Sequence, residues 1–305
     1  MKKIILIINL LAFCLLAYSQ KTIQEWGQME ENKFTKKFGF GTGIHYLKQD
    51  FKETGQFPKL ENVGVLSYAL FSPNPTQRNT SIVSPMQITG QGSSFLVDQL
   101  FLKAEPGIRQ GLKSKSINYK TSEEYLDTDE KKDLFKNTEF KASNLAKASL
   151  KMASFFSGRD YSGDAKGTPD GYKYILQSTM DAKLWRAIGK FTGELEIDGL
   201  INVEQTIWWD GKDVALGPIT MNLIIPNPFP YNEESWYAPV GPLKGYLEGV
   251  ILASVTVNPP NAYYLGELSK KKTEFDFSEL DVIYERIISS LIDYSKEEFS
   301  KYSTE

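Results

Sequence analysis

The alternation of apolar and polar side chains predicts a β-strand over residues 196–209, around which the rest of the chain is arranged. Most of its odd-numbered positions are apolar, among them Ile197, Ile201, Val203, Ile207 and Trp209. Most of its even-numbered positions are polar, among them Asp198, Asn202, Glu204 and Thr206. This period of two is typical of a strand with one apolar and one polar face, because successive side chains of a strand point to opposite faces.

Two more apolar runs follow this strand, over residues 214–225 and 245–257. Asp210 and Gly211 between the first two runs are a hairpin signal, so the three runs predict an antiparallel meander. Earlier strands are predicted at residues 61–71 and 116–119. Pro73 follows the first of them and should end its ladder of backbone hydrogen bonds.

Helical periodicity predicts helices over residues 94–104, with a break near Pro106, and over residues 134–156, 172–191 and 278–301. Residues 157–171 are rich in glycine and predict a loop. The order of elements indicates an α/β fold: a layered mixed sheet with a C-terminal antiparallel three-stranded meander, covered by helices. We expect a single α/β domain over residues 61–305, preceded by an N-terminal extension over residues 20–60.

The first residues predict a signal peptide over residues 1–19. Lys2 and Lys3 precede an apolar run that is too short to span ~30 Å of hydrocarbon, and small residues at Ala17 and Ser19 fit a cleavage site. Cys14, the only cysteine, follows Phe13, a context that does not suit lipidation. The sequence therefore predicts an exported protein, found in the periplasm or outside the cell.

Composition excludes several kinds of chemistry. Without Lys2 and Lys3 the 35 basic residues become 33, against 38 acidic ones, which gives a net charge of −5. Because the chain has no basic tract, we expect neither nucleic acid nor anionic lipid as a partner. No later apolar run is long enough for a membrane span. With one histidine, His45, and no cysteine after Cys14, we expect no cofactor and no metal site.

Glu204 is the candidate catalytic residue, because a sheltered carboxylate can serve as a general acid or base. Trp208, Trp236 and Tyr237 could then stack on a sugar ring. The alternative interpretation is a solvated sheet face, on which alternating polar residues need no function. We expect this second arrangement, with Glu204 exposed to water.

A second candidate site is the proline-rich and aromatic segment over residues 227–242. Its candidate binding residues are Phe229, Tyr231, Trp236 and Tyr237. Aromatic side chains dominate protein interfaces, and loops often carry recognition. The same rings could instead fold back against the edge of the sheet, and the sequence leaves both alternatives open.

The chain resembles the group of exported domains that includes the curli secretion-channel protein CsgG and the amino-terminal domain of TolB. The resemblance rests on the first strand, VGVLSYALF, on a helix that leads into the strand IDGLINVE, and on the amphipathic last helix. It covers residues 61–302. It implies a non-catalytic component of envelope assembly, regulation or transport.

We therefore expect a non-catalytic protein that acts through an envelope or extracellular protein partner. The alternative is a carbohydrate-binding protein, or a carbohydrate-active enzyme that uses carboxylates. Glycoside hydrolysis needs two carboxyl groups roughly 5–10 Å apart in one cleft, so the surroundings of Glu204 distinguish the two.

Overall fold

The computed structural model describes residues 28–75, 91–141, 148, 152, 159–175, 181–209, 213–229, 247–258, 263–269 and 272–303. The strands within these ranges are β1 Asn62–Pro75, β2 Asn118–Lys120, β3 Arg159–Gly167, β4 Gly199–Trp209, β5 Asp213–Pro226, β6 Gly249–Val257, β7 Tyr263–Ser269 and β8 Lys272–Phe275. The α-helices are α1 Glu31–Lys37, α2 Lys48–Thr54, α3 Gln91–Ser114, α4 Ser122–Tyr125, α5 Asp129–Asn137, α6 Ala182–Glu194 and α7 Leu280–Ser303.

The strands form one mixed sheet, with β1 and β4 parallel at its centre. The strands β4, β5 and β6 are antiparallel neighbours, so the predicted meander and the α/β fold class are confirmed. On the other side of β1, β2 pairs in parallel with its first residues and β3 pairs antiparallel with its last residues. Both β6 and β7 pair with the same edge of β5, one after the other, and β8 pairs with β7.

Helices α3 and α7 pack closely because glycines remove the side chains between them. A Cβ atom on Gly107 of α3 would lie 2.0 Å from the backbone oxygen of Asp281 on α7. One turn later, a Cβ atom on Gly111 would lie 2.8 Å from Ile288. Real Cβ atoms do not approach other atoms so closely, so only glycine allows this packing distance at either position.

A buried hydrogen-bond chain joins α7 to the sheet. The hydroxyl groups of Tyr68 on β1 and Tyr284 on α7 are 3.0 Å apart, and that of Tyr284 donates to Oε1 of Gln205 on β4. The Gln205 amide donates in turn to the backbone oxygen of Thr206, at 2.7 Å. Gln205 lies on the face for which the sequence predicts apolar side chains, and these bonds satisfy its polar atoms there.

The N-terminal residues pack into the same core as the sheet. Phe34, Ile44 and Leu47 have no solvent exposure, and Phe51 is 1 % exposed. Backbone bonds in both directions join Gly41 to Ser254 on β6, each 2.8 Å long. The glycines of residues 39–43 thus lie at the edge of β6, where a Cβ atom on Gly41 would lie only 3.0 Å from the Ser254 hydroxyl.

Two predictions about proline are wrong. The predicted break near Pro106 is absent, because α3 continues through Pro106 to Ser114. Pro106 is exposed, and Leu102 one turn earlier is 58 % exposed, so water can bond the carbonyl that Pro106 leaves without a donor. The strand β1 also continues past Pro73 to Pro75, with a register shift between Ser72 and Asn74 that accommodates the proline.

Three further boundaries differ from the predictions. Residues 159–167 of the predicted loop form β3, because the long edge of β1 offers them a pairing partner. The helix predicted from residue 172 starts at Ala182. Asp181 precedes it, and its side chain accepts a hydrogen bond from the backbone N–H of Leu184 at 2.9 Å.

The helix predicted over residues 134–156 is interrupted, because α5 ends at Asn137. Residues 148 and 152 are helical, and the rest of 142–156 lies outside the described residues. The last helix, α7, is confirmed.

Candidate functional site

The even-numbered residues of β4 belong to a polar face that spans four strands. Asn202 pairs with Ser67 on β1 and with Asn222 on β5, and Asn222 pairs with Ser254 on β6. In the next row, Glu204 pairs with Thr220 and Thr220 with Thr256. We call these seven residues, together with Thr206, the polar face.

The polar face is buried at its centre, so the expectation that Glu204 lies in water is wrong. Asn202 and Ser67 have no solvent exposure, and Asn222, Thr206 and Glu204 are 5 %, 7 % and 8 % exposed. Towards the outer strand the exposure rises, and Thr256 on β6 is exposed. The polar face therefore runs from an exposed position at Thr256 to a fully buried one at Asn202.

Asn202 is the most unusual residue of this face. Within the described part of the chain, neither its amide nitrogen nor its amide oxygen has a hydrogen-bond partner. An amide carries two donors and an acceptor, and leaving such groups buried and unpaired costs about 1–3 kcal/mol. Gln205, three residues later in the same strand and equally buried, has all the bonds described above. Hydrogen bonds therefore account for the burial of Gln205 but not for that of Asn202.

Tyr174 adds a second unpaired group beside the polar face. The backbone of its neighbour Ile175 donates to the Ser67 hydroxyl at 3.1 Å, which holds residues 173–175 against β1. The Tyr174 hydroxyl is buried and has no hydrogen-bond partner among the described residues. Burial, and secondarily the nearby Glu204 carboxylate, raise the pKa of the Tyr174 phenol. The phenol therefore stays protonated and can donate a hydrogen bond at any physiological pH.

Glu204 has no carboxylate at the neighbouring positions of the sheet. Its cross-strand neighbours are Ala69 and Thr220, and its neighbours on the same face of β4 are Asn202 and Thr206. Among the residues that the structure describes, no three His, Cys, Asp or Glu side chains are grouped to hold a metal ion. His45 is exposed, and its Nδ1 lies 3.0 Å from the backbone oxygen of Thr42.

The aromatic segment is described only in part. The Phe229 ring is partly buried and packs edge-to-face on Phe51, with 4.9 Å between the ring centroids. Phe229 therefore belongs to the contacts that hold the N-terminal residues to the sheet. Tyr231, Trp236 and Tyr237 lie outside the described residues, as does the side chain of Trp208.

Five of the eight residues of the polar face are not predicted from the sequence. Ser67 lies within the predicted strand 61–71, and Thr220, Asn222, Ser254 and Thr256 form two pairs within the apolar runs of the meander. Their signal is the same period of two, since each pair is two positions apart within an otherwise apolar strand. Reading the three strands of the meander together, with polar positions aligned, would have found the face.

Comparisons with protein-family models, with curated proteins and with solved structures gave no match to this chain. The resemblance to the CsgG and TolB group therefore stays a prediction from the sequence.

Proposed function

We propose that this chain is an exported, non-catalytic protein of the cell envelope or the extracellular space, which acts through contacts with a partner protein. The lack of a second carboxyl group at the sheet positions next to Glu204 is the observation that supports the non-catalytic part. Glycoside hydrolysis needs a second carboxyl group roughly 5–10 Å away, and the four neighbouring positions on this face carry none. The enzyme alternative is thus less well supported than a binding role.

Exposed apolar side chains on two packed helices support the protein-contact part. Leu102 on α3 is 58 % exposed and Val282 on α7 is 43 % exposed. Pro106 is also exposed, one turn after Leu102 on α3. The two helices touch close by, where Gly107 of α3 lies against Asp281 of α7. Exposed apolar side chains are a common feature of protein interfaces, so we propose that the partner binds these two helices. No helix among the described residues is long and apolar enough to cross a membrane.

Export gives the first prediction. We expect the mature protein to begin near Gln20 and to carry no lipid, because the small residues before Gln20 suit cleavage and Phe13 spoils a lipidation context. Intact-mass measurement of protein recovered from the periplasm or the medium checks this. Retention of Met1 would contradict the proposed cleavage and export, and labelling by a radioactive fatty acid would contradict the proposed absence of a lipid.

A substitution at Leu102 tests the partner contact. We expect Leu102→Asp to reduce capture of a partner protein from a cell-envelope extract. The aspartate would lose its hydration in the interface without an opposite charge to compensate for it. Gln110→Asp, also exposed on α3, is the matched control and should capture normally. Quantitative crosslinking and mass spectrometry on both variants measures the effect. Equal capture by both would show that this surface is not the contact.

A further inference from the structure

We infer that the exposed face of α3 and α7 binds the same face of a second copy of this chain. We call this surface the helix face; it consists of Leu102, Pro106 and Lys113 on α3 and of Asp281, Val282 and Glu285 on α7. The inference rests on the function proposed above, because it names the partner protein that these two helices contact.

Unpaired charges of opposite sign lie on the two helices. Lys103 and Lys113 are exposed on α3, whereas Asp281 is exposed and Glu285 partly exposed on α7. Among the residues that the structure describes, none of these four forms an ion pair. The helix face is therefore positive along α3 and negative along α7.

The other charges around the helix face do not change this pattern. Three of them are already paired within one molecule: Arg109 with Glu105, Lys115 with Asp293, and Arg286 with Glu31. Asp98 and Lys296 are exposed and have the opposite signs. They lie beyond the helix face, because Asp98 is one turn before Leu102 and Lys296 about three turns after Glu285.

Two glycine contacts give the relative direction of the helices. Gly107 lies against the backbone of Asp281, and Gly111, one turn later, against that of Glu285. The helices are therefore parallel, and Lys113 is only two residues, about 3 Å, past the level of Glu285. A two-fold axis that runs between the helices and along them keeps these levels and places α3 of each copy over α7 of the other. Lys113 of each copy then faces Glu285 of the other.

The same arrangement covers the exposed apolar side chains. Leu102 is 58 % and Val282 43 % exposed, and Pro106 is exposed as well. Pro106 precedes Gly107 and Val282 follows Asp281, so the two lie about 3 Å apart along the helix direction, and the two-fold axis brings them together. Apolar burial stabilises the contact, and the opposite charges select this orientation of a second copy. A surface with this pattern is its own complement.

Sedimentation equilibrium of the full-length mature protein tests the inference. We expect the native protein to dimerise at micromolar concentrations. Lys113→Glu and Glu285→Lys should each weaken the dimer about tenfold or more, because each places like charges opposite one another in both contacts. An equimolar mixture of the two variants should dimerise as the native protein does, because each contact again joins a lysine to a glutamate. Lys136→Glu, at an exposed position of α5, is the matched control and should dimerise normally.

Three results overturn the inference: a native protein that stays monomeric, single variants that dimerise as well as the native protein, or a mixture that does not regain the dimer. Circular dichroism checks that each variant is folded. If a charge-reversal variant does not fold, Lys113→Gln or Glu285→Gln takes its place and should weaken the dimer by a smaller factor.

Capture from a cell-envelope extract distinguishes failure of this inference from failure of the proposed function. If the native protein is monomeric but Leu102→Asp still reduces capture, the helix face binds a different protein, and only the second copy is wrong. If the native protein is monomeric and Leu102→Asp captures normally, the helix face is not a protein contact, and both are wrong.

Discussion

Replacing Val203 by Asp is expected to leave the protein unfolded. Val203 has no solvent exposure and lies on the apolar face of β4, between Tyr68 on β1 and Met221 on β5. A carboxylate there is either ionised without a partner or protonated without a hydrogen bond, at a cost on the order of 5 kcal/mol. This approaches the whole stability of a typical domain, about 5–15 kcal/mol. Circular dichroism and thermal denaturation of the purified variant measure the loss.

Thr256→Asp is the control for this prediction. Thr256 belongs to the same meander but is exposed on β6, so an added charge stays in water. We expect a loss of about 0.5–1 kcal/mol from the low strand propensity of Asp. A Val203→Asp protein that melts within a few degrees of the control would contradict the assignment of the two faces of β4.

Replacing Gly189 by Ala is expected to destabilise the protein strongly although only one methyl group is added. A Cβ atom at Gly189 of α6 would lie 2.2 Å from the Cα atom of Gly249 and 2.9 Å from the backbone oxygen of Ile225. Both contacts are with backbone, so α6 must move away from β5 and β6. Overpacking of this kind costs about 1–3 kcal/mol or more, measured by urea denaturation.

Gly193→Ala makes the same change one turn later in the same helix. Gly193 is exposed, and the nearest atom to an added Cβ is a side-chain carbon of Pro226 at 3.4 Å, an ordinary contact. Because alanine favours a helix over glycine, we expect this variant to gain up to about 1 kcal/mol. The two substitutions should therefore differ in sign. A shared sign would mean that α6 does not approach β6 as described.

The sequence is most informative where one side of a strand is buried. The period of two over residues 196–209 located β4, and the apolar runs after it located β5 and β6, because the pleat of a strand imposes that period. It is least informative where tertiary pairing decides. The residues of β3 are polar and glycine-rich, and they form a strand only because β1 extends far enough to pair with them. No local pattern reports such a partner.

Helix boundaries show the same limit. Pro106 has the local chemistry of a helix break, yet its position on the solvent side of α3 lets the helix continue. Conversely, Asp181 carries a start signal that the periodicity of the neighbouring aromatic residues obscured. Correct boundaries needed both the capping chemistry and knowledge of the face that each residue occupies.

The candidate site was predictable in position but not in environment. Alternation placed Asn202, Glu204 and Thr206 together on one face. Whether that face is exposed or buried depends on the residues that pack over it. The alternation within one strand does not report those residues. The unpaired amide of Asn202 is likewise a property of the assembled structure. The same strand holds Gln205, whose partners come from β4 itself and from α7, far away in the sequence.

The most direct test of this account compares the free energies of unfolding of Asn202→Leu and Gln205→Leu. Both residues are fully buried in β4, on opposite faces of the sheet. Gln205→Leu leaves the Tyr284 hydroxyl without its acceptor, and we expect it to lose about 1–3 kcal/mol in urea denaturation. Asn202→Leu removes atoms that have no partner, so we expect its stability to stay within about 0.5 kcal/mol of the native value or to rise. An equal loss in both variants would show that Asn202 contributes to folding as Gln205 does, and would contradict the description of its amide as unpaired.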